Sequence, residues 1–390
     1  MNLRPDTGRA MHPELLHPHF LFAIWMVGGI QTVYNNMRAA LEGKDGARFS
    51  WLPVEMYPDD WITKIPPISL NGSWKNSMAT WSRMKPLIRA KGDFHAAYVL
   101  EHTLLTFLWG FRRRVPFLLA TDMTPLFCAK HKLWYAVPEF EPASRSSRIK
   151  QAITRNVYSS AYHLLPWSTA VRDSFVEDYG IPAQRITVLP PGIDLKRWHP
   201  RNHRERGDAL PEKPFKVLHV GWDFTRKGGD LLVQLAAEPE FRDCEFHFVT
   251  SSFVGTPGPN VVVHSDLAPN SDELVDLYND ADVFVLPTRA DTYSMVALEA
   301  MAMGLPVVIS DVGGIADIVV EGETGYLLPV DDRSRLRDRL RALRADRPLR
   351  RSMGSKGRAR VEQRFNLEHH ASMVLDLLFA AAHSRTRMHA

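Results

Sequence analysis

The chain has 390 residues, 45% hydrophobic and 24% charged, with 48 lysines and arginines against 44 aspartates and glutamates. That length exceeds what one hydrophobic core usually carries, and the composition is that of a folded chain, so two globular domains are expected and disorder is excluded. A net charge of +4 permits anionic ligands or an acidic membrane surface without demanding nucleic acid, for which there is no motif.

The first residues, 1–12, lack the apolar run of a secretory signal, and no segment has the uninterrupted apolar length of a membrane span. Cys128 and Cys244 stand far apart without metal-ligand spacing, which argues against a disulfide framework and for a reducing compartment. A cytoplasmic protein is the expectation.

In chain order, residues 19–25 read as a first strand ending at Gly28 and Gly29. The glycine pair lets backbone press closely on a ligand, or forms an ordinary turn. Residues 49–85, rich in Trp and Pro, carry no clear period. Residues 96–100, 115–120, 161–165 and 185–189 read as further strands. Residues 104–111, followed by Arg112, Arg113 and Arg114, have the aromatic-then-basic character of an interfacial helix, or of a buried helix with a basic turn. Residues 190–194 and the polar stretch 200–213 are the best linker.

Beyond the linker the alternation is clearer. Strands are expected at 215–221, 245–249, 260–263, 281–286 and 306–309, with helices at 230–237, at 271–278 and after Asp291. Alternating Val/Ile-rich strands and helices imply parallel sheets covered on both faces, with ligands at the carboxyl ends of the strands. Residues 332–360 read as a solvated amphipathic helix packed by Leu336, Leu340 and Leu343, and residues 367–382 as a last helix.

Two motifs carry chemistry. Gly221 to Gly229 follows a strand but lacks the G-x-G-x-x-G spacing of a dinucleotide site. It offers Arg226 and Lys227 where a diphosphate would lie, or a basic turn capping a helix. Farther on, Asp291 and Glu299 stand eight apart across a turn and a helix start. The helix N-terminus attracts an anion and the carboxylates accept hydrogen bonds from sugar hydroxyls, so the two together suit a phosphorylated sugar.

With these motifs in this order, the chain resembles glycosyltransferase family 4. The likeness rests on Lys227-Gly228, on the acidic-x7-Glu pattern of Asp291 to Glu299, on 300–307, and on 313–317 with 322–325. Upstream it extends through Trp167-Ser168, 178–180 and 191–194. The resemblance implies a GT-B fold of class α/β: two Rossmann-like, doubly wound parallel-sheet domains facing a central cleft. Residues 1–205 would bind acceptor and 206–365 nucleotide sugar, with a C-terminal helix, 366–390, crossing back.

It implies a retaining transferase that moves a sugar from a nucleotide diphosphate sugar to an acceptor hydroxyl, with the leaving phosphate helping to deprotonate the acceptor. No cofactor, metal or nucleic acid is implied. Glu299 would accept from the ribose hydroxyls and Asp291 would face the transferred sugar. Ser294, Met295 and Val296 would present backbone N–H groups, Lys227 would neutralise the diphosphate, and Gly28 and Gly29 would match the family's glycine pair. His102 falls where some members place an active-site histidine, though a structural histidine fits as well. Asp122 faces the cleft, either assisting the acceptor or capping the next turn, with the cap favoured.

Two positions depart from the pattern. Asp291 stands where Glu is usual, and Trp222 where Arg is frequent, with Arg226 as its substitute. These departures keep alive a non-catalytic nucleotide-sugar-binding subunit, and an epimerase or hydrolase of the same fold is the other alternative. A pyridoxal-lysine context for a sugar phosphorylase is not found.

Overall fold

The computed structural model describes residues 17–55, 61–66, 72–91, 93–131, 145–201 and 214–389. Residues 1–12 and most of the expected linker, 202–213, lie outside them. In the first domain, β1 (His19–Met26), α1 (Ile30–Leu41), β2 (Arg48–Glu55), α2 (Gly72–Lys91), β3 (Ala96–Leu100), α3 (Trp109–Arg114) and β4 (Phe117–Thr121) follow in turn. They are succeeded by α4 (Pro125–Lys130), α5 (Arg145–Ser160), β5 (His163–Pro166) and α6 (Thr169–Glu177). The strands form one parallel sheet in the order β2-β1-β3-β4-β5.

Both faces of this sheet are covered, which is why its strands read as continuous apolar runs. Phe20, Phe22 and Ile24 pack with residues of α1, while the alternate Leu21 and Ala23 pack with residues of α2, α3 and α5. Pro53 sits in β2, the edge strand, where its missing N–H leaves no central ladder bond unmade. Part of the unresolved sequence pattern at 49–85 is therefore β2 and the start of α2.

Residues 185–189 are not the expected strand. One bridge joins Ile186 to Leu164, and Thr187 and Leu189 donate to the carbonyls of Leu164 and Pro166 at 3.0 and 2.9 Å. The ladder stops because Pro166 has no N–H to return to this segment. The stretch 104–111 is not one helix either: a 3-10 turn, His102–Leu105, precedes the short α3. Leu104, Leu105, Leu108 and Phe111 of that stretch are buried, whereas Phe107 and Trp109 are exposed.

The second domain runs β6 (Lys216–Val220), α7 (Gly229–Ala236), β7 (Glu245–Val249), β8 (Val261–His264), α8 (Asp272–Asp280), β9 (Val283–Leu286) and α9 (Met295–Ala302). Next come β10 (Val307–Ser310), β11 (Gly325–Leu328), α10 (Arg333–Ala345), α11 (Arg347–Arg364) and α12 (Leu367–His389). Its parallel sheet has the order β11-β10-β9-β6-β7-β8. The expected single helix at 332–360 is two. Asp346 ends α10 and caps α11 by accepting from Leu349 N, and Pro348 sits in the first turn, where it needs no donor. Leu336, Leu340 and Leu343 are buried. Among the described residues, no helix is long and apolar enough to cross a membrane.

The segment 190–194 is packed, not free. Ile193 N donates to Phe365 O at 2.7 Å and Leu367 N to Ile193 O at 3.1 Å, while a Cβ on Gly192 would come within 2.4 Å of Leu367 Cα. From this crossing α12 returns to the first domain, where Phe379 meets Phe20 edge-on at 5.2 Å and Ala371, Val374 and Leu378 join α1 and the strand residues in one core.

Candidate active site

The loops at the carboxyl ends of the two sheets meet. Thr292, after β9, donates a short hydrogen bond to the carboxylate of Asp122, after β4. Asp317, after β10, accepts from Thr169 N at 2.5 Å and Thr169 Oγ1 at 2.8 Å at the start of α6. A Cβ on Gly29, after β1, would lie 3.6 Å from Met295 at the start of α9. Side chains from both sheets therefore converge on one cleft.

The β6–α7 loop is shaped by its glycines. Gly228 has φ +76° and a Cβ there would fall 2.1 Å from Pro287 O; one on Gly229 would strike the Phe224 ring at 2.3 Å. Only glycine lets the loop wedge against the end of β9. The stem of Lys227 lies across Gly221, where a Cβ would be 2.8 Å from Lys227 Cγ. This directs Lys227 Nζ to within 2.5 Å of Asp291 Oδ2, with both side chains almost wholly buried. In a buried pair so placed, removing either partner leaves the other's polar atoms unsatisfied.

Arg226 ties its own loop to the one after β9: Nε donates to Asp223 Oδ2 at 2.9 Å and Nη1 to Ala290 O at 2.8 Å. Trp222 is 64% exposed, and its carbonyl accepts from Thr250 Oγ1 at 3.1 Å and from Ser252 Oγ.

Ser294 caps α9 by accepting from Ala297 N at 3.4 Å. The N–H groups of Met295 and Val296, in the first turn, have no carbonyl one helical turn back to accept them, and they stand at the positive end of the helix dipole. The backbone before them is held by Gly313, whose φ is +60° and whose Cβ would lie 2.1 Å from Asp291 O, and by Gly314 N donating to Thr292 O at 2.8 Å.

Glu299, deeper in α9, is 5% exposed and accepts from Tyr278 Oη at 3.1 Å. Burial pushes its carboxyl up to about 8 against the pull of that hydrogen bond, so it is protonated at neutral pH. Its hydrogen bond runs to Tyr278 and not to the Lys227–Asp291 pair.

On the first domain, Gly28 has φ +50° with open space where a Cβ would stand, so its conformation is what calls for glycine. His102 Nδ1 contacts the Glu101 carboxylate and lies 3.3 Å from Tyr158 Oη. Glu101 has φ +92°, a strained conformation for a side-chain-bearing residue. Its carboxyl is pushed up by burial but drawn down further by His102 and by bonds from Thr121 and Thr103, and ends below its usual value. Both of these partners of His102, Glu101 and Tyr158, belong to the first domain.

Asp122 does not cap the next helix; Thr124 does, accepting from Phe127 N at 3.1 Å. Burial raises the Asp122 carboxyl to about 6, with the charges of Glu101 and Asp291 adding to the rise and the bond from Thr292 opposing it. Trp51 is packed on Phe22, stacked at 4.5 Å, and Trp74 on Phe107 at 5.3 Å. The side chain of Trp61 lies outside the described residues.

Sequence reasoning missed Tyr278, Thr292, Glu101 and the Asp317–Thr169 clamp. Asp317 stood in a quoted motif without a role, Thr292 and Tyr278 depend on partners 170 and 21 residues away, and Glu101, next to His102, has no spacing that marks it. Taken together, a buried cation, a carboxylate and an amide-rich helix end can bind a phosphorylated, hydroxylated ligand.

Two family models match the chain: Glycosyltransferase Family 4 over residues 27–197 and Glycosyl transferases group 1 over 259–360. The D-inositol 3-phosphate glycosyltransferase of Arthrobacter sp. (strain FB24) is 30% identical over 298 residues, covering 71% of this chain and 67% of that protein. Other relatives of that name are matched over 55% to 65% of their length, so the chain spans little more than half of them. Among solved structures, sucrose-phosphate synthase from Thermosynechococcus elongatus superposes with TM-score 0.72 at 21% identity, covering 94% of this chain and 100% of that one. Anabaena Alr3699/HepE in complex with UDP-glucose gives 0.65 at 17%, covering 93% and 99%. At these identities the structures speak for the fold alone.

Proposed function

The chain belongs to glycosyltransferase family 4 and has its GT-B fold, and from that premise we propose that it moves a sugar from a nucleoside diphosphate sugar to an acceptor hydroxyl with retention of configuration. The observation that carries this reading is the Lys227–Asp291 pair at the mouth of α9. An incoming diphosphate draws Lys227 Nζ away from Asp291 and takes the Met295 and Val296 amides, and the released Asp291 carboxylate accepts from hydroxyls of the transferred sugar. Glu299 ionises to accept from the ribose.

In the reaction the bond from the anomeric carbon to the diphosphate oxygen breaks and one to the acceptor oxygen forms, while the acceptor proton passes to the leaving phosphate. Lys227 and the helix amides stabilise the charge that develops there, a preorganised term that usually dominates such catalysis, and they do so without calling on a bound metal. Asp122 and His102 lie on the acceptor side. Uridine is the first base to test, because HepE is solved with UDP-glucose, and inositol phosphate belongs among the acceptors because of the relatives' name. We place the protein in the cytoplasm, where its two buried, unpaired cysteines stay reduced.

Release of nucleoside diphosphate from a panel of nucleotide sugars, with and without acceptors, tests the reading. Turnover raised by an acceptor, with product of retained anomeric configuration, is expected. Donor binding without turnover under any acceptor would instead favour a nucleotide-sugar-binding subunit, the reading that Trp222 and Asp291 keep open.

A further inference from the structure

We propose that α2, α3 and α5 together form a docking surface for an anionic lipid bilayer. The three helices are neighbours on one side of the first sheet. Trp74 of α2 meets Phe107 in the turn before α3, and Arg112 of α3 donates to Asn156 Oδ1 and Ser160 Oγ of α5 at 3.0 and 2.9 Å.

Their charge is one-sided. α2 holds five lysines and arginines, α3 three and α5 four, and none of the three contains an aspartate or glutamate. The other 36 of the chain's 48 cations face all 44 carboxylates, so the small net charge hides a basic face on an otherwise acidic molecule. The arginine-rich α10 offers a contrast: Arg333, Arg337, Arg341 and Arg344 are bound to Glu238, Glu240 and Asp243. Among the described residues, no ion pair reaches Arg113, Arg114, Arg148, Lys150 or Arg155, which are all exposed.

Large apolar side chains stand among these cations. Phe107, Trp109 and Ile149 are 44%, 55% and 57% exposed and rim a groove of about 490 Å³ between α3 and α5. The Arg113 guanidinium lies 3.6 Å over the Trp109 ring. Monomeric proteins seldom expose such a cluster without using it. Aromatic rings seat at the headgroup boundary while arginines beside them meet lipid phosphates, and a bilayer is the partner that supplies both an anionic plane and an apolar layer beneath. Nucleic acid supplies the charge but gives the exposed Ile149 and the apolar groove nothing to enter. This surface is built without any residue of the donor site, so its failure and that of the proposed reaction are separable.

Co-sedimentation of the full chain with phosphatidylcholine vesicles, with and without phosphatidylglycerol, tests the proposal. Binding is expected only to the anionic vesicles, weakening as salt is added. Each cation near the surface is worth roughly fivefold in affinity, so the variant Arg113→Ala/Arg148→Ala/Lys150→Ala should bind about a hundredfold more weakly. Trp109→Ala should weaken binding while keeping the salt dependence. Both variants should keep the wild-type melting temperature and donor turnover in vesicle-free buffer. Three results would overturn the proposal: no binding to anionic vesicles at low salt, equal binding to neutral ones, or duplex DNA bound as tightly as the vesicles with the same loss in the triple variant.

Discussion

Raising the pH from about 6 to about 8 should tighten the binding of a nucleoside diphosphate sugar, and Glu299 is the reason. Its carboxyl is pushed to about 8 by burial, with Tyr278 as its hydrogen-bond donor. Roughly one molecule in a hundred is ionised at about pH 6, one in eleven at about pH 7 and half at about pH 8. Ribose hydroxyls donate to the ionised form, so the apparent dissociation constant is the intrinsic one divided by that fraction. Affinity should then rise about ninefold over the first unit and about fivefold over the second. Titration calorimetry with UDP-glucose in two buffers of different ionisation heat reads both the affinity and the proton released on binding. Glu299→Gln should bind more weakly, without the pH dependence and without the released proton. A wild-type affinity that is flat across this range would refute the argument. So would an equal slope in the glutamine variant, which would assign the proton to another group such as Asp122.

Replacing Lys227 with Ala strands the Asp291 carboxylate, whose side chain is only 8% exposed. Turnover should fall by about 10² to 10³, and unfolding free energy by about 3–5 kcal/mol, part of which Lys227→Met/Asp291→Asn restores without restoring turnover. Gly228→Ala places a methyl 2.1 Å from Pro287 O at φ +76°, and should lower stability by more than about 1 kcal/mol in denaturant titration together with loss of donor binding. Glu299 and Asp122 both have carboxyls raised in the folded state, to about 8 and about 6. The folded chain therefore holds protons that the unfolded chain releases, and stability should fall as pH rises from about 4 towards 8. Thermal melts of Glu299→Gln should lose the slope above about pH 6 and keep a reduced one below it, while those of Asp122→Asn should keep the upper slope and lose about half of the lower.

The alternation of apolar runs and helical patterns carried most of the second sheet, because its strands are buried on both faces and read as unbroken Val, Phe and Ile runs. It misled at 185–189, where Pro166 in the neighbouring strand, not anything in the segment itself, stops the ladder. It also joined α10 and α11, whose break lies in the Asp346 cap and Pro348. At the site, the spacing of Asp291 and Glu299 and the Lys227-Gly228 pair are local features and were readable. The depth of Glu299 was not, since its protonation comes from the core that buries it, against the pull of Tyr278, nor was the role of Asp122, whose partner Thr292 is 170 residues away. Cross-domain links of this kind leave no spacing in the sequence.

A structure of the protein with bound UDP-glucose tests the central claim most directly. The expectation is a diphosphate against Lys227 Nζ and the Met295 and Val296 amides, with the ribose on Glu299 and the glucose hydroxyls on Asp291. A diphosphate bound elsewhere, with the Lys227–Asp291 pair still closed, would contradict it.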